Sequence, residues 1–206
     1  KTMVFESLEP RLLLSDSPLA PPSFAPSGIL DITTPLTSGD IKIETVYQGG
    51  VPVLRVWDNF GGSLLDQVTF NQNIRVNILG RYALSDLVTI DLGYDDGVAG
   101  TSPLTAYALM VDFDGNTDVP LLSDDSLRVL SSGPDFYAAT SLFLKSTDDI
   151  QFNSAVQVQD KLNVDSQEAI GVNGVALTAA NMYLGVTKAV TDGVTLLDGL
   201  NLLGDA

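Results

Sequence analysis

The sequence predicts an all-β protein: a parallel β-helix, or solenoid, preceded by an irregular β-rich N-terminal cap. Three observations favour this fold class. Residues 141–160, 161–180 and 181–200 align without a gap at a 20-residue period, as expected for a repeat architecture. Before them, short apolar alternations are separated by Gly, Pro, Asn or Asp clusters, which indicate strands and turns. No segment carries a long apolar stripe with a helical period.

The N-terminal segment, residues 1–28, ends in a proline-rich spacer. Pro18, Pro21, Pro22 and Pro26 lie among Ser and Ala residues. This composition is typical of an extended polyproline II chain that forms no core of its own. We expect the spacer to run along a neighbouring surface or to tether the residues that precede it.

A short motif stands before the spacer. Residues 5–15 read FESLEPRLLLS and predict a short amphipathic helix that packs on the next domain. The string also resembles the LEPR-XLL motif, found near the N-terminus of very long, repeat-rich bacterial surface or secreted proteins. The matching positions are Leu8, Glu9, Pro10, Arg11, Leu13 and Leu14. The resemblance implies a docking or sorting role for these residues and an extracellular or cell-surface location in a bacterium.

Residues 29–118 are predicted to form the β-rich cap, because strand candidates occur there without a regular repeat. Each candidate is rich in Val, Ile, Leu and aromatic residues, which favour strands. The candidates are 41–47, 52–57, 64–70, 74–79, 87–92 and 105–113. Such a cap would cover the first coil of a solenoid, whose open end otherwise exposes apolar side chains and unpaired strand edges. A separate β-sandwich is the alternative for this region.

Residues 119–206 are predicted to form the solenoid, with coils of about 20 residues. Strand alternation places one set of apolar side chains on the inside of the coil. The side chains predicted to point inward are Leu142, Leu144, Ile150, Phe152, Val156 and Val158. Asn153 aligns with Asn173 at a turn, where we expect the two amides to form a hydrogen bond.

Two irregular copies flank the aligned repeats. Residues 126–140 read as a shortened copy, in which we expect Leu127 and Val129 to take the places of Leu142 and Leu144. A fourth copy is expected to begin at Asn201, with Leu202 aligned with Met182. Because this copy stops after six residues, we expect the chain to be the opening part of a longer structure.

The repeat region also resembles a known class of coils. Residues 142–166 are similar to the repeats of filamentous-haemagglutinin-like secreted β-helices, in coil length, in apolar–polar alternation and in Asn at the turns. This resemblance implies that the β-helix is right-handed.

Composition excludes several classes of function. The net charge of −16 repels nucleic-acid phosphates and anionic lipids, so we predict no nucleic-acid partner. The chain contains no cysteine and no histidine, which removes disulfides, thiolate metal sites and histidine-based nucleophile systems. No apolar run approaches the ~20 residues of a transmembrane helix, so we predict no transmembrane segment.

One acidic string is the candidate metal site. Asp112, Asp114, Asn116 and Asp118 place oxygen ligands at alternate positions around a glycine, a spacing that lets a loop curl around Ca²⁺. The string departs from an EF-hand loop, because Ser123 stands where that loop has a bidentate Glu. A solvated acidic turn is the alternative. Calcium is the only cofactor that the sequence predicts.

Paired carboxylates raise the question of glycoside hydrolysis, because β-helices also occur in polysaccharide-cleaving enzymes. Asp124-Asp125 and Asp148-Asp149 are adjacent pairs. Neighbouring side chains on a strand point to opposite faces, so neither pair forms a facing acid–base couple by itself. We therefore predict that the chain is not an enzyme.

These observations favour a non-catalytic structural segment of an extracellular or cell-surface bacterial repeat protein, an adhesin-like stalk. A second hypothesis is a self-assembling subunit of an extracellular filament, sheath or surface layer. A third is a polysaccharide-active β-helix enzyme. The partners that we expect are further copies of the chain, other cell-surface proteins or polysaccharides.

Overall fold

The protein is all-β, with sixteen strands and no helix in the residues that the structure describes. The structure is a computed structural model and describes residues 26–35, 39–48, 51–81, 84–93, 107–115, 125–131, 139–186 and 201–203. The strands are β1 (Gly28–Thr33), β2 (Asp40–Gln48), β3 (Val51–Asp58), β4 (Ser63–Thr69), β5 (Ile74–Leu79), β6 (Leu87–Asp91), β7 (Ala108–Asp114), β8 (Ser126–Leu130), β9 (Ser141–Ser146), β10 (Asp149–Phe152), β11 (Val156–Gln157), β12 (Lys161–Ser166), β13 (Ile170–Val172), β14 (Ala176–Thr178), β15 (Asn181–Val186) and β16 (Asn201–Leu203).

The first sheet, sheet A, contains six parallel strands in the order β1-β5-β7-β9-β12-β15. Its neighbours are never consecutive in sequence, so the chain leaves and re-enters the sheet between them, as parallel pairing requires. One inward column runs through Leu30, Val76, Val111, Leu144, Val164 and Leu184. The 20-residue alignment of residues 141–200 predicts that Leu144, Val164 and Leu184 occupy equivalent positions, and this register confirms it.

The second sheet, sheet B, has the order β13-β10-β8-β6-β2-β3-β4. Its first five strands are parallel, and each directly follows a strand of sheet A along the chain. We call one such passage, from sheet A to sheet B, a level. The last two strands extend β2 as antiparallel partners. Most strand pairs of the protein are therefore parallel, with one antiparallel extension at one end of sheet B.

The third sheet, sheet C, contains the parallel strands β11-β14-β16 and corrects one alignment. Leu202 pairs with Leu177, whereas Met182 pairs with Leu162. The prediction that Leu202 continues the Met182 position is therefore wrong. Residues 201–203 extend sheet C and do not begin a new strand of sheet A, so the 20-residue period is lost before β16.

The core lies between the inward faces of the strands. All six side chains predicted to point inward at residues 142–158 are buried, which confirms the alternation. The inward side chains of the earlier strands are buried as well, and Ile41, Ile74 and Phe113 are 0% exposed. Each such side chain contributes roughly 1.5–3 kcal/mol relative to an exposed position.

The segment predicted as a shortened copy lies in a different sheet from the one expected. Leu127 pairs with Ile150 and Val129 pairs with Phe152, both in sheet B. The prediction that they take the places of Leu142 and Leu144 is therefore wrong. Those places belong to the preceding strand β7, and a long connection between β7 and β8 disguises the level in the sequence.

The connections from sheet A to sheet B divide the protein into two parts. In the front part, β1 to β8, they span residues 34–39, 80–86 and 115–125. In the repeat part, β9 to β14, they shrink to residues 147–148 and 167–169. The inward columns of sheets A and B continue through both parts, but only in the repeat part do their members keep the 20-residue spacing, as in Leu144–Val164 and Ile150–Ile170. In sheet C the register slips by one residue, because Val156 pairs with Leu177.

A buried serine closes each short connection of the repeat part. The amide of Asp148 donates to Ser146 Oγ at 3.0 Å, and the amide of Glu168 donates to Ser166 Oγ at 3.1 Å. Ser166 Oγ also donates to the carbonyl of Asp148 at 2.7 Å. In register these serines follow Phe113, which ends the front part's column. A hydroxyl fits there because a tight turn exposes backbone groups that need partners.

A second turn of the repeat part confirms the predicted asparagine pair. The side-chain amide of Asn173 donates to Asn153 Oδ1 at 2.6 Å, between successive levels. Gly174 follows with a φ of 69°, a conformation that favours glycine because it lacks a Cβ. The turn at Asn173 therefore has a glycine where the preceding level has Ser154.

Several predictions fall outside the described residues. The motif at residues 8–14 is among them, as is position 118. The division of the chain at residues 28 and 118 stays a prediction. Within the described part, no helix is long and apolar enough to cross a membrane.

Candidate functional site

The outward face of sheet A carries a row of polar side chains. Strand alternation turns these residues away from the core, and the parallel register places them side by side on successive strands. The row consists of Asp31, Asn77, Asp112, Lys145 and Asp165. It therefore crosses five strands and both parts of the protein.

The row is joined by side-chain contacts. Asn77 Nδ2 donates to Asp31 Oδ1 at 2.7 Å, and Arg75 Nε donates to Asn77 Oδ1 at 2.6 Å. The Arg75 guanidinium also forms an ion pair with Asp112. On the other side, Lys145 Nζ lies 3.6 Å from Asp112 Oδ1. Asp112 is thus held between two cations from neighbouring strands.

A groove with a volume of 670 Å³ lies over this face. It is lined by Asp31, Ile32, Thr33, Arg75, Asn77, Ile78, Leu79, Asp112, Asp114, Lys145, Thr147 and Gln167. The lining mixes carboxylates, cations, amides and a hydroxyl, so it offers both hydrogen-bond donors and acceptors to a polar ligand. Among the described residues the groove is therefore a candidate binding surface for a polar ligand.

Most charged side chains in the groove form ion pairs between neighbouring strands of sheet A. Cross-strand charge pairs contribute about 0.2–1 kcal/mol each. Arg75 and Lys145 are 34% and 50% exposed, so water screens both pairs with Asp112. A ligand that binds by charge would have to displace these contacts. The groove therefore suits a neutral polar ligand better than a charged one.

The structure describes only half of the predicted calcium site. Asp112 and Asp114 lie two positions apart on β7 and face the same groove, whereas Asn116 and Asp118 lie outside the described residues. A Ca²⁺ ion at Asp112 would compete with Arg75. Within the described ranges, no group of three or more acidic side chains is arranged to hold a metal ion. The calcium site stays a prediction.

Two aspartates that are distant in the sequence lie at one corner of the fold. Asp125 and Asp148 each belong to an adjacent acidic pair, and each directly precedes a strand of sheet B. Because Ser126 and Asp149 pair in register, the two aspartates lie at the same corner of successive levels. The recurrence of Asp before Leu87, Ser126 and Asp149 is the signal that could have revealed this corner.

Comparison of the chain with known proteins finds no relative whose function could be considered for it. No family model matches the chain, and neither a curated protein nor a solved structure matches it.

Proposed function

We propose that the chain is a right-handed parallel β-helix that acts as a non-catalytic structural segment of an extracellular or cell-surface bacterial repeat protein. In this proposal the stacked levels form an adhesin-like stalk. The resemblance to LEPR-XLL proteins supports the setting, and the resemblance to haemagglutinin-like coils supports the handedness.

The parallel register of sheet A is the observation that carries the proposal. An apolar column stacks inside from β1 to β15, and a polar row stacks outside from β1 to β12. Each level adds one strand to sheet A, so length grows by about 4.8 Å per level. Such a structure can be extended by repetition, as a stalk requires.

The stalk proposal is tested on the native polypeptide in the bacterium. Antibodies raised against the 206-residue chain should label intact cells or the culture medium, and the detected polypeptide should be much longer than this chain. An intracellular product would contradict the proposed location. An exported product of about this size would contradict the stalk and favour the assembly alternative below.

The proposed sorting role of the N-terminal motif needs a separate test. Replacement of Arg11, Leu13 and Leu14 by alanine in the native gene should lower the fraction of the protein that reaches the outside. Alanine at Ser17, Ser23 and Ser27 is the matched control in the adjoining spacer. Unchanged export of the motif variant would overturn the sorting role.

A self-assembling subunit is the second candidate, and the edge strand β4 favours it. Within the described residues β4 pairs only with β3. Its Leu64 and Leu65 are 42% and 38% exposed. An exposed apolar edge is a template for strand addition by another chain.

Sedimentation measures this alternative directly. If β4 mediates assembly, the purified chain should associate as its concentration rises. Leu65→Lys should then restore the monomer, because a lysine on an edge strand opposes pairing. Gln167→Lys, which adds the same charge at an exposed position outside β4, is the control. Concentration-independent monomers of the unmodified chain would remove this candidate.

The calcium proposal has its own readout. If Asp112, Asp114, Asn116 and Asp118 bind Ca²⁺, the metal should raise the melting temperature and a chelator should reverse the rise. Asp114→Asn should abolish the response. An unchanged melting temperature in both conditions would rule out the site.

A further inference from the structure

Three aspartates are buried at one corner of the fold, where sheet A passes to sheet B. Asp86, Asp125 and Asp148 directly precede β6, β8 and β10, at equivalent positions in the register. Their exposed fractions are 2%, 4% and 5%. Buried carboxylates are costly unless each is paired with a cation, a hydrogen-bond donor or a proton.

Both carboxylate oxygens of Asp86 accept hydrogen bonds. Its Oδ1 accepts from Arg81 Nε at 2.6 Å, which forms a buried ion pair. Its Oδ2 accepts from the amide of Arg81 and from Thr34 Oγ1, the latter at 3.2 Å. The positive charge of Arg81 is therefore engaged with this carboxylate.

Only one of the two carboxylate oxygens of Asp125 accepts a hydrogen bond. Its Oδ1 accepts from the amide of Asp86 at 2.5 Å. Its Oδ2 is buried and has no hydrogen-bond partner. A carboxylate oxygen in that state has lost its water without gaining a donor.

Asp148 directs an oxygen to the same place from the next level. Its Oδ2 accepts from Thr147 Oγ1 at 2.7 Å. A Cβ atom added to Gly115 would lie less than 3.0 Å from Oδ2 of Asp125 and from Oδ2 of Asp148. The two oxygens thus converge beside the Gly115 backbone.

We propose that this corner binds one proton: Asp125 is held as a neutral carboxylic acid whose Oδ2 hydrogen is directed at the carboxylate of Asp148. The proton converts the unpartnered oxygen into a donor and removes one of two facing negative charges. An O–H bond on Asp125 forms as an O–H bond of a solvent hydronium ion breaks, and a water molecule is left.

The surroundings of Asp125 support this assignment. Burial is the main cause that raises the pKa of Asp125 to about 7, and the negative charges of Asp148 and Asp86 raise it further. The hydrogen bond from the Asp86 amide and the charge of Arg81 act in the opposite direction. These are the charged groups that face Asp125 from the connections on either side of it within the described residues.

A proton fits the corner better than a metal ion. Not even a methyl carbon fits between Gly115 and the two oxygens without a clash. A divalent cation needs about six oxygen ligands and room for the water that completes its shell. No described group of three acidic side chains offers such a ligand set.

The proposal predicts the sign of a pH effect. The pKa of Asp125 is higher in the folded chain than in the unfolded one, so the folded chain binds more protons between about pH 4 and pH 7. The stabilising contribution of this proton is complete at low pH and is lost as pH rises through the folded pKa. The corner should therefore stabilise the fold more in mildly acid medium than in alkaline medium.

The first experiment measures the proton directly on the unmodified protein. A ¹³C NMR titration follows the side-chain carboxyl carbons of all aspartates. One carboxyl should titrate near neutral pH, and Asp125→Asn should remove that resonance. Titration of every aspartate in the ordinary range, near pH 4, would overturn the proposal without need of a variant.

The second experiment compares thermal unfolding at pH 5 and pH 8. Asp125→Asn carries an amide that can donate to Asp148, so this variant should lose less melting temperature between the two pH values than the unmodified chain. Asp66→Asn on β4, which removes the same charge from an outer position, should keep the full loss. Equal losses in the two variants would contradict the proposal.

Calcium chloride added at pH 8 separates a proton site from a metal site. The proton proposal expects the same response from the unmodified chain and Asp125→Asn. A rise in melting temperature that only the unmodified chain shows would instead assign the corner to a divalent cation and overturn the proposal.

Discussion

The front part and the repeat part of the protein have the same strand register but different sequence spacing. In both parts Leu or Val residues stack in parallel columns, and Val76 and Val111 continue directly into Leu144 and Val164. Only the repeat part spaces its equivalents by 20 residues. The comparison teaches that the inward columns hold the fold together, whereas the connections between the sheets set the visible period.

The connection from sheet A to sheet B also differs in structure between the two parts. The repeat part closes it within two or three residues around a buried serine. The front part uses longer connections and fills the corner with buried aspartates, an arginine and glycines. We expect the corner where Asp125 of the front part faces Asp148 of the repeat part to be sensitive to pH, and the next corner of the repeat part, at Ser166, to be insensitive to it.

The largest expected effect tests whether both parts share one core. Phe113→Ala removes a fully buried ring from the front part, and Phe152→Ala removes one from the repeat part. Each should lower the free energy of unfolding by about 3–5 kcal/mol, because truncation leaves a cavity. Urea denaturation followed by circular dichroism measures both.

A single transition in both variants supports one cooperative core. Phe60→Ala is the control, since this ring is 83% exposed and its loss should cost less than about 0.5 kcal/mol. If one variant unfolds in two separate steps, the parts are independent units and the comparison above fails.

Gly115→Ala sharpens the comparison at the corner. Its Cβ would collide with Oδ2 of Asp125 and Oδ2 of Asp148, so we expect a loss of about 1–3 kcal/mol. Gly171→Ala is the matched change in the repeat part, where the new Cβ would meet Gln151 Cγ at an ordinary 3.6 Å. Equal stability of the two variants would show that the corner is not packed as described.

The asparagine pair probes a contact of the repeat part. Asn173→Ala should cost about 0.5–1.5 kcal/mol, the usual net value of a hydrogen bond. A double-mutant cycle with Asn153→Ala isolates the pair, because the second substitution should cost nothing once the first is present. Additive losses would mean that the two amides do not interact in solution.

The smallest expected effect concerns the outer row. Asp112→Asn should change stability by less than about 1 kcal/mol, because its ion pairs are partly exposed. The effect should shrink further in 1 M salt, where screening acts over about 3 Å. A large, salt-independent loss would assign Asp112 a structural role beyond these ion pairs.

The sequence predicted the parts of the fold that depend on local patterns. Alternation located β2 to β7 to within a few residues, and the 20-residue alignment predicted the Leu144–Val164–Leu184 column and the asparagine pair. Both follow from chain geometry that repeats over short distances.

The remaining features depend on contacts between distant residues. Leu127 and Val129 carry the same alternation in either sheet, so their sequence could not say that they join sheet B. Likewise, Asp125 and Asp148 meet only because a long connection on one level and a short one on the next end at the same register. No pattern within either segment specifies that juxtaposition.

One distance tests the central claim that the columns run unbroken from the front part into the repeat part. The chain has no cysteine, so spin labels can be attached to cysteines placed at Asp31 and Asp165. These positions are joined by four consecutive register steps, each of about 4.8 Å. The two labels should therefore be about 19 Å apart. A broad distribution centred beyond about 30 Å would contradict the claim.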